Sequence, residues 1–198
     1  LRDFNFNAQA LKKTKILLGN CHYIEDNDLY IGENLPRVIN LDETPSPYLN
    51  GMLDKFFDKH LIPSIQTSRG CPFKCSFCQE GKDYFTKICK YSLDRVTAEI
   101  DYIAARVKNP YFYILDSNFG MYKQDVPIAE HINNVKKKTG WPKYIEGALG
   151  KSKKVMDVVK ILEGSMNSSV ATQSTDAEVL KNVKRKNVPD ETAIEIIE

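Results

Sequence analysis

Cys71, Cys75 and Cys78 fall within eight residues, in the run Thr67-Ser-Arg-Gly-Cys-Pro-Phe-Lys-Cys-Ser-Phe-Cys78. This C-x3-C-x2-C spacing lets one short loop offer three thiolates to one face of a metal centre, whereas closed zinc and iron-sulfur sites take four ligands. One metal position is left for an outside ligand. The pattern answers to an iron-sulfur cluster with one open iron, to a three-cysteine zinc site completed by a histidine, or to a fortuitous grouping of cysteines. His22, His60 and His131 are distant in sequence and none shows ligand spacing, which favours the iron-sulfur centre. Cys21 and Cys89 lie outside the spacing and read as structural thiols.

Other segments compete for chemistry. Gly147-Ala-Leu-Gly-Lys-Ser152 follows a strand pattern and opens a helix like a phosphate-binding loop, and Phe112-Tyr-Ile-Leu-Asp116 resembles the acidic strand that serves magnesium. The first glycine stands two residues too near the Gly-Lys-Ser, and the acidic strand precedes the loop rather than follows it. Lys151 is better placed near a bound carboxylate. The basic run Lys136-Lys-Lys138 suits a helix C-terminus, where cations complement the dipole, more than an RNA surface. Tyr111, Phe112 and Tyr113 suit a buried strand.

The elements that must position the cysteines alternate. Residues 62–67 read as a strand leading into the cysteine loop, and 92–107 as a helix capped by Ser92. Strands follow at 111–115, 143–147 and 168–173, separated by helices over 125–138, 152–162 and 176–186. Four successive βα units predict a parallel α/β sheet, open or closed into a barrel, with ligands at the carboxyl ends of its strands. Upstream, residues 23–32 read as a hairpin, Pro36, Pro45 and Pro47 interrupt regular structure, and 49–61 has the spacing of a short amphipathic helix. The expected division is 1–60, a linker and accessory segment, and 61–198, a core cut off after its fourth βα unit. A first residue that is not methionine and a last helix without a stop signal read as a fragment.

Composition is that of a globular chain: 198 residues, 42% apolar, 28 basic against 26 acidic side chains and a net charge of +2. That charge is too small to predict a nucleic-acid partner. No apolar run reaches the roughly 18 residues of a membrane helix, and no secretory signal opens the chain, so the cytoplasm is expected. Five cysteines, three of them clustered, fit a reducing compartment better than a disulfide framework.

The run from Thr67 to Cys78, with Phe77 before the third cysteine, resembles the cluster loop of the radical S-adenosylmethionine (SAM) superfamily. Asp42-Glu-Thr-Pro-Ser-Pro-Tyr-Leu-Asn-Gly-Met-Leu-Asp54 is similar to the segment joining cobalamin domain and barrel in its cobalamin-dependent branch. The resemblance implies a partial TIM-type barrel, a [4Fe-4S] cluster on Cys71, Cys75 and Cys78, and SAM chelating the open iron. It implies a 5′-deoxyadenosyl radical, an electron donor such as flavodoxin or ferredoxin, and possible use of cobalamin through a domain outside this chain for methyl transfer. It nominates Phe77 for the adenine, Asp116 and Asn118 for the methionine amino group, Gln173 and Ser174 for the ribose, and Arg185 for the carboxylate. The family's glycine-glycine-glutamate stretch is replaced here by Leu115-Asp-Ser-Asn-Phe-Gly120, and its acidic ribose ligand by Gln173. Asp116 has a second reading, as a cap on the loop. The other functional class is a noncatalytic or degenerate metal or iron-sulfur binding module.

Overall fold

The computed structural model describes residues 17–197. The reading drawn from Leu1 lies outside them. The chain divides into two compact units, Leu1–Val38 and Ile39–Glu198. In the first, β1 (His22–Glu25) and β2 (Asp28–Ile31) pair antiparallel. Asp26 and Asn27 both take positive φ, the conformation that a two-residue hairpin turn demands and that Asp and Asn tolerate. Tyr23 faces Tyr30 across the strands, with ring centroids 5.0 Å apart.

The second unit holds β3 (Ser64–Ile65), β4 (Ser68–Arg69), α1 (Asp83–Thr86), β5 (Cys89–Lys90), α2 (Leu93–Ala104), β6 (Tyr111–Phe119), α3 (Asp125–Thr139), β7 (Tyr144–Leu149), α4 (Lys154–Ile161), α5 (Ala177–Asn182) and α6 (Asp190–Ile197). β6 is the central strand of a parallel sheet ordered β3-β6-β7. Its residues alternate between exposed and buried, so Phe112 and Ile114 enter the core where α2, α3 and α4 supply Ile100, Ile103, Ile128, Ile132 and Val158. Each such side chain contributes about 1.5–3 kcal/mol on burial. The chain is an α/β protein with a parallel sheet. Among the described residues no helix is long and apolar enough to cross a membrane.

Capping accounts for the helix boundaries. Ser92 accepts from Arg95 N at the start of α2, and its own N–H donates to Asp42. Lys136, Lys137 and Lys138 occupy the last turn of α3, where the basic run was expected to sit.

Residues 39–60 belong with the second unit, although the sequence groups them with the accessory segment. Leu41 and Tyr48 enter its core, the Tyr48 hydroxyl donates to Ser64 O and accepts from Ser64 N, and buried Glu99 accepts from Ser46 and Arg95. Two expected elements differ. Over 49–61 only a single 3-10 turn forms, Asp54–Phe56, because Gly51 turns left-handed at φ +73, and Met52 is left 67% exposed. The strand expected at 168–173 does not form. On its edge away from β6, β7 is met only by an isolated parallel bridge between Ile145 and Met166, after which the segment, mostly small and polar, runs without a ladder.

Candidate metal centre at the cysteine loop

The cysteine loop leaves the carboxyl end of β3 and is closed at its base by a ladder. β4 pairs antiparallel with β5, Ser68 opposite Lys90 and Arg69 opposite Cys89, and Tyr91 N donates to Thr67 O at 3.0 Å. Gly70 then turns the chain at φ +113, a conformation that a side chain resists. Cys71 N donates to Phe85 O, Cys78 N to Cys75 O and Gly81 N to Cys78 O, so the three cysteines ride on one hydrogen-bonded coil. At Gly81 a β-carbon would lie 2.2 Å from Cys75 O, so the backbone passes where no side chain fits. Ser76 N donates to Val183 O at 3.0 Å, tying the loop to the end of α5.

The thiols face different surroundings: Cys75 is 6% exposed, Cys71 half-buried and Cys78 exposed. Cys89, 3% exposed, belongs to the core and to β5. Asp116 and Asn118 continue the inward row of β6 beyond Ile114, which aims them at the loop. Asp116 accepts from Thr67 N, Thr67 Oγ1 and Ser68 Oγ, each at 2.6 Å. Its two oxygens thereby fasten the entry of the loop, matching the capping role. Asn118 Nδ2 lies 3.3 Å from Cys71 Sγ. Arg185 brings Nη1 to 3.8 Å from Cys75 Sγ while Nη2 donates to Ala171 O at 2.8 Å.

The remaining nominated residues sit less tightly. Phe77 is 55% exposed, Gln173 is exposed, and Ser174 accepts from Asp176 N and, through its carbonyl, from Asn187 Nδ2. Lys151, just past β7, extends over the Phe73 ring at 4.6 Å and donates to Lys186 O, which turns it toward the cysteine loop and away from a phosphate-binding geometry. Burial lowers its pKa, Arg185 lowers it further, and Cys75 and Cys71 oppose the shift.

Tyr122 was not legible as a site residue, since no motif marks it. Its hydroxyl is buried with no hydrogen-bond partner, and burial, then the neighbouring Cys71, pushes its pKa up to about 12. Arg185 Nε and Asn187 Oδ1 are likewise buried and unpartnered. A buried polar atom left unpaired costs about 1–3 kcal/mol, so the Tyr122 hydroxyl near Cys71 and Arg185 Nε near Cys75 fit a polar group bound there. Among the described residues no three His, Cys, Asp or Glu side chains converge to hold one metal ion. No metal position, for zinc or for iron, is therefore preformed among the described residues. The donor set itself, three thiols with N–H groups directed at two of them, suits a cluster whose ligands are spread over several irons.

Fold and site together define a parallel α/β protein with a three-cysteine loop at the carboxyl edge of its sheet. No family model matches the chain. It is 32% identical over 167 residues to the 2-(S-pantetheinyl)-carbapenam-3-carboxylate methyltransferase of Streptantibioticus cattleyicolor, covering 79% of this chain and 24% of that protein. It is 30% identical over 169 residues to the cobalamin-dependent radical SAM methyltransferase TokK of Streptomyces tokunonensis, covering 80% and 25%. The chain thus spans about a quarter of the length of these relatives. In fold it is similar to the cobalamin-dependent SAM radical enzyme OxsB in its apo form, with a TM-score of 0.60 and 15% identity over 99% of this chain and 31% of that one. The methyltransferase TsrM of Kitasatospora setae, with cobalamin and a [4Fe-4S] cluster bound, gives 0.53 and 17% over 69% and 28%. The chain belongs with the radical SAM superfamily, and its likeness there is to the cobalamin-dependent branch.

Proposed function

We propose that this chain is the cluster-binding part of a radical SAM enzyme, with Cys71, Cys75 and Cys78 as ligands of a [4Fe-4S] cluster and SAM at the open iron. The observation that carries the reading is the loop itself: three thiols at the carboxyl end of a parallel sheet, two of them met by N–H donors from Asn118 and Arg185. When bound, the cluster supplies one electron that breaks a carbon–sulfur bond of SAM, giving methionine and a 5′-deoxyadenosyl radical.

The chain's own residues position and shield. Asp116 fastens the loop entry through Thr67 and Ser68. The planar fork of Arg185 has one buried edge, Nε, still unpaired and suited to a carboxylate, with Lys151 as a second cation nearby. Phe77 offers its main chain to adenine, and Gln173 and Ser174 lie on the segment that would face the ribose. The strand order β3-β6-β7 follows the chain without reversal, which supports the start of a TIM-type barrel. Methyl transfer with cobalamin, held by a part of the protein outside this chain, and reduction by flavodoxin or ferredoxin complete the proposal.

Anaerobic reconstitution with iron and sulfide, dithionite reduction and assay for 5′-deoxyadenosine test it. We expect absorbance near about 400 nm, lost on replacing Cys71, Cys75 or Cys78 with Ala and kept in Cys89→Ala. Loss of the cluster in Cys89→Ala refutes the ligand assignment. A cluster that never yields 5′-deoxyadenosine supports the noncatalytic module instead.

A further inference from the structure

Asn118 is placed by strand alternation on the buried face of β6, 6% exposed, and its amide nitrogen stands 3.3 Å from Cys71 Sγ. A thiolate offers no proton, so the amide must present its NH2 group to the sulfur. Sequence resemblance nominates this residue for contact with the methionine amino group, a task for which the carbonyl end of the amide would serve. The geometry turns the other end of the side chain to Cys71. The sulfurs are also unequally served: Cys71 receives a neutral amide, Cys75 the Arg185 guanidinium, and Cys78 is exposed.

We infer that Asn118 is a positioning residue that acts through Cys71, raising the reduction potential of the cluster held there; the inference rests on the cluster reading above. An N–H donated to a ligand sulfur withdraws electron density from the metal, which favours the more negative, reduced state. Removing the donor makes the cluster harder to reduce. An isosteric carboxylate in its place does the same and adds a repulsive charge.

Wild type, Asn118→Ala and Asn118→Asp are reconstituted anaerobically, their cluster content fixed by iron and sulfide analysis, and their midpoints read by potentiometric titration with electron paramagnetic resonance, without substrate. We expect equal loading and a lower reduced fraction at fixed potential in both variants. A tenfold fall in the reduced-to-oxidised ratio corresponds to a midpoint about 59 mV more negative for one electron. Equal loading with an unchanged or more positive midpoint overturns the role of Asn118 and leaves the cluster reading intact. A variant that folds but takes up no cluster also overturns it, since Asn118 then supports the loop instead. A wild-type protein that takes up no cluster overturns both.

Discussion

Replacing Asp116 separates its two roles by stability alone. The carboxylate is 2% exposed and holds Thr67 N, Thr67 Oγ1 and Ser68 Oγ at 2.6 Å each. In Asp116→Ala the hydroxyls can rotate toward other acceptors, but Thr67 N–H cannot, and a stranded buried donor costs about 1–3 kcal/mol. Loss of two charge-assisted bonds adds to this, while relief of the buried charge subtracts. The expected net loss is about 3 kcal/mol. Asp116→Asn keeps an oxygen for Thr67 N and offers its amide protons to two hydroxyls that can turn to accept them, so its cost is about 1 kcal/mol. Urea unfolding followed by fluorescence of Trp141, the single tryptophan, buried against Phe112, gives both values. If Asp116 instead held the ammonium of SAM, alanine would weaken SAM binding and leave unfolding unchanged. An alanine variant within about 0.5 kcal/mol of wild type, or an asparagine variant as unstable as alanine, would refute the anchoring role.

Gly81→Ala should cost about 2 kcal/mol and lower iron uptake, because its new carbon meets the Cys75 carbonyl and backbone must move; near-wild-type unfolding and iron content would count against the close approach. Burial pushes the Asp125 carboxyl up to about 6 from 3.8, against the opposing hydrogen bond from Tyr122 N. Between those values the folded state binds more protons than the unfolded, so stability falls as pH rises through 4 to 6 and is level above, by about 3 kcal/mol in all. Asp125→Asn should flatten that slope in urea titrations at successive pH values, and an unaltered slope would contradict it.

Local chemistry made much of this legible. The β6 strand and the Ser92 cap carry their structural consequence within a few neighbouring residues and form where the sequence puts them, although Tyr111 and Tyr113, expected in a buried strand, are 39% and 38% exposed because the strand alternates. What sequence misplaced depends on partners. The helical spacing over 49–61 is real, yet Gly51 reverses the chain and tertiary bonds from Tyr48 and Ser46 hold the segment in turns. The 168–173 segment, mostly small and polar, forms no ladder, and the bridge to Ile145 of β7 comes from Met166 just before it. Asp116 was visible as an acid after a strand; that both its oxygens turn back to Thr67 and Ser68, nearly fifty positions earlier, is a fact of packing that spacing does not carry. Tyr122 became a site residue only through its buried, unpaired hydroxyl.

The short ladder between β4 and β5 has a bearing on how the proposed cluster would be lost and regained. Closing an excursion of roughly 20 residues costs about 2.6 kcal/mol of chain entropy, and peptide hydrogen bonds at its neck, with Asp116 beneath, already meet that cost. Ligand loops that owe their shape to metal unravel under chelators. This one should keep its shape when stripped, so that an oxidised, iron-depleted molecule can be recharged without passing through an unfolded state.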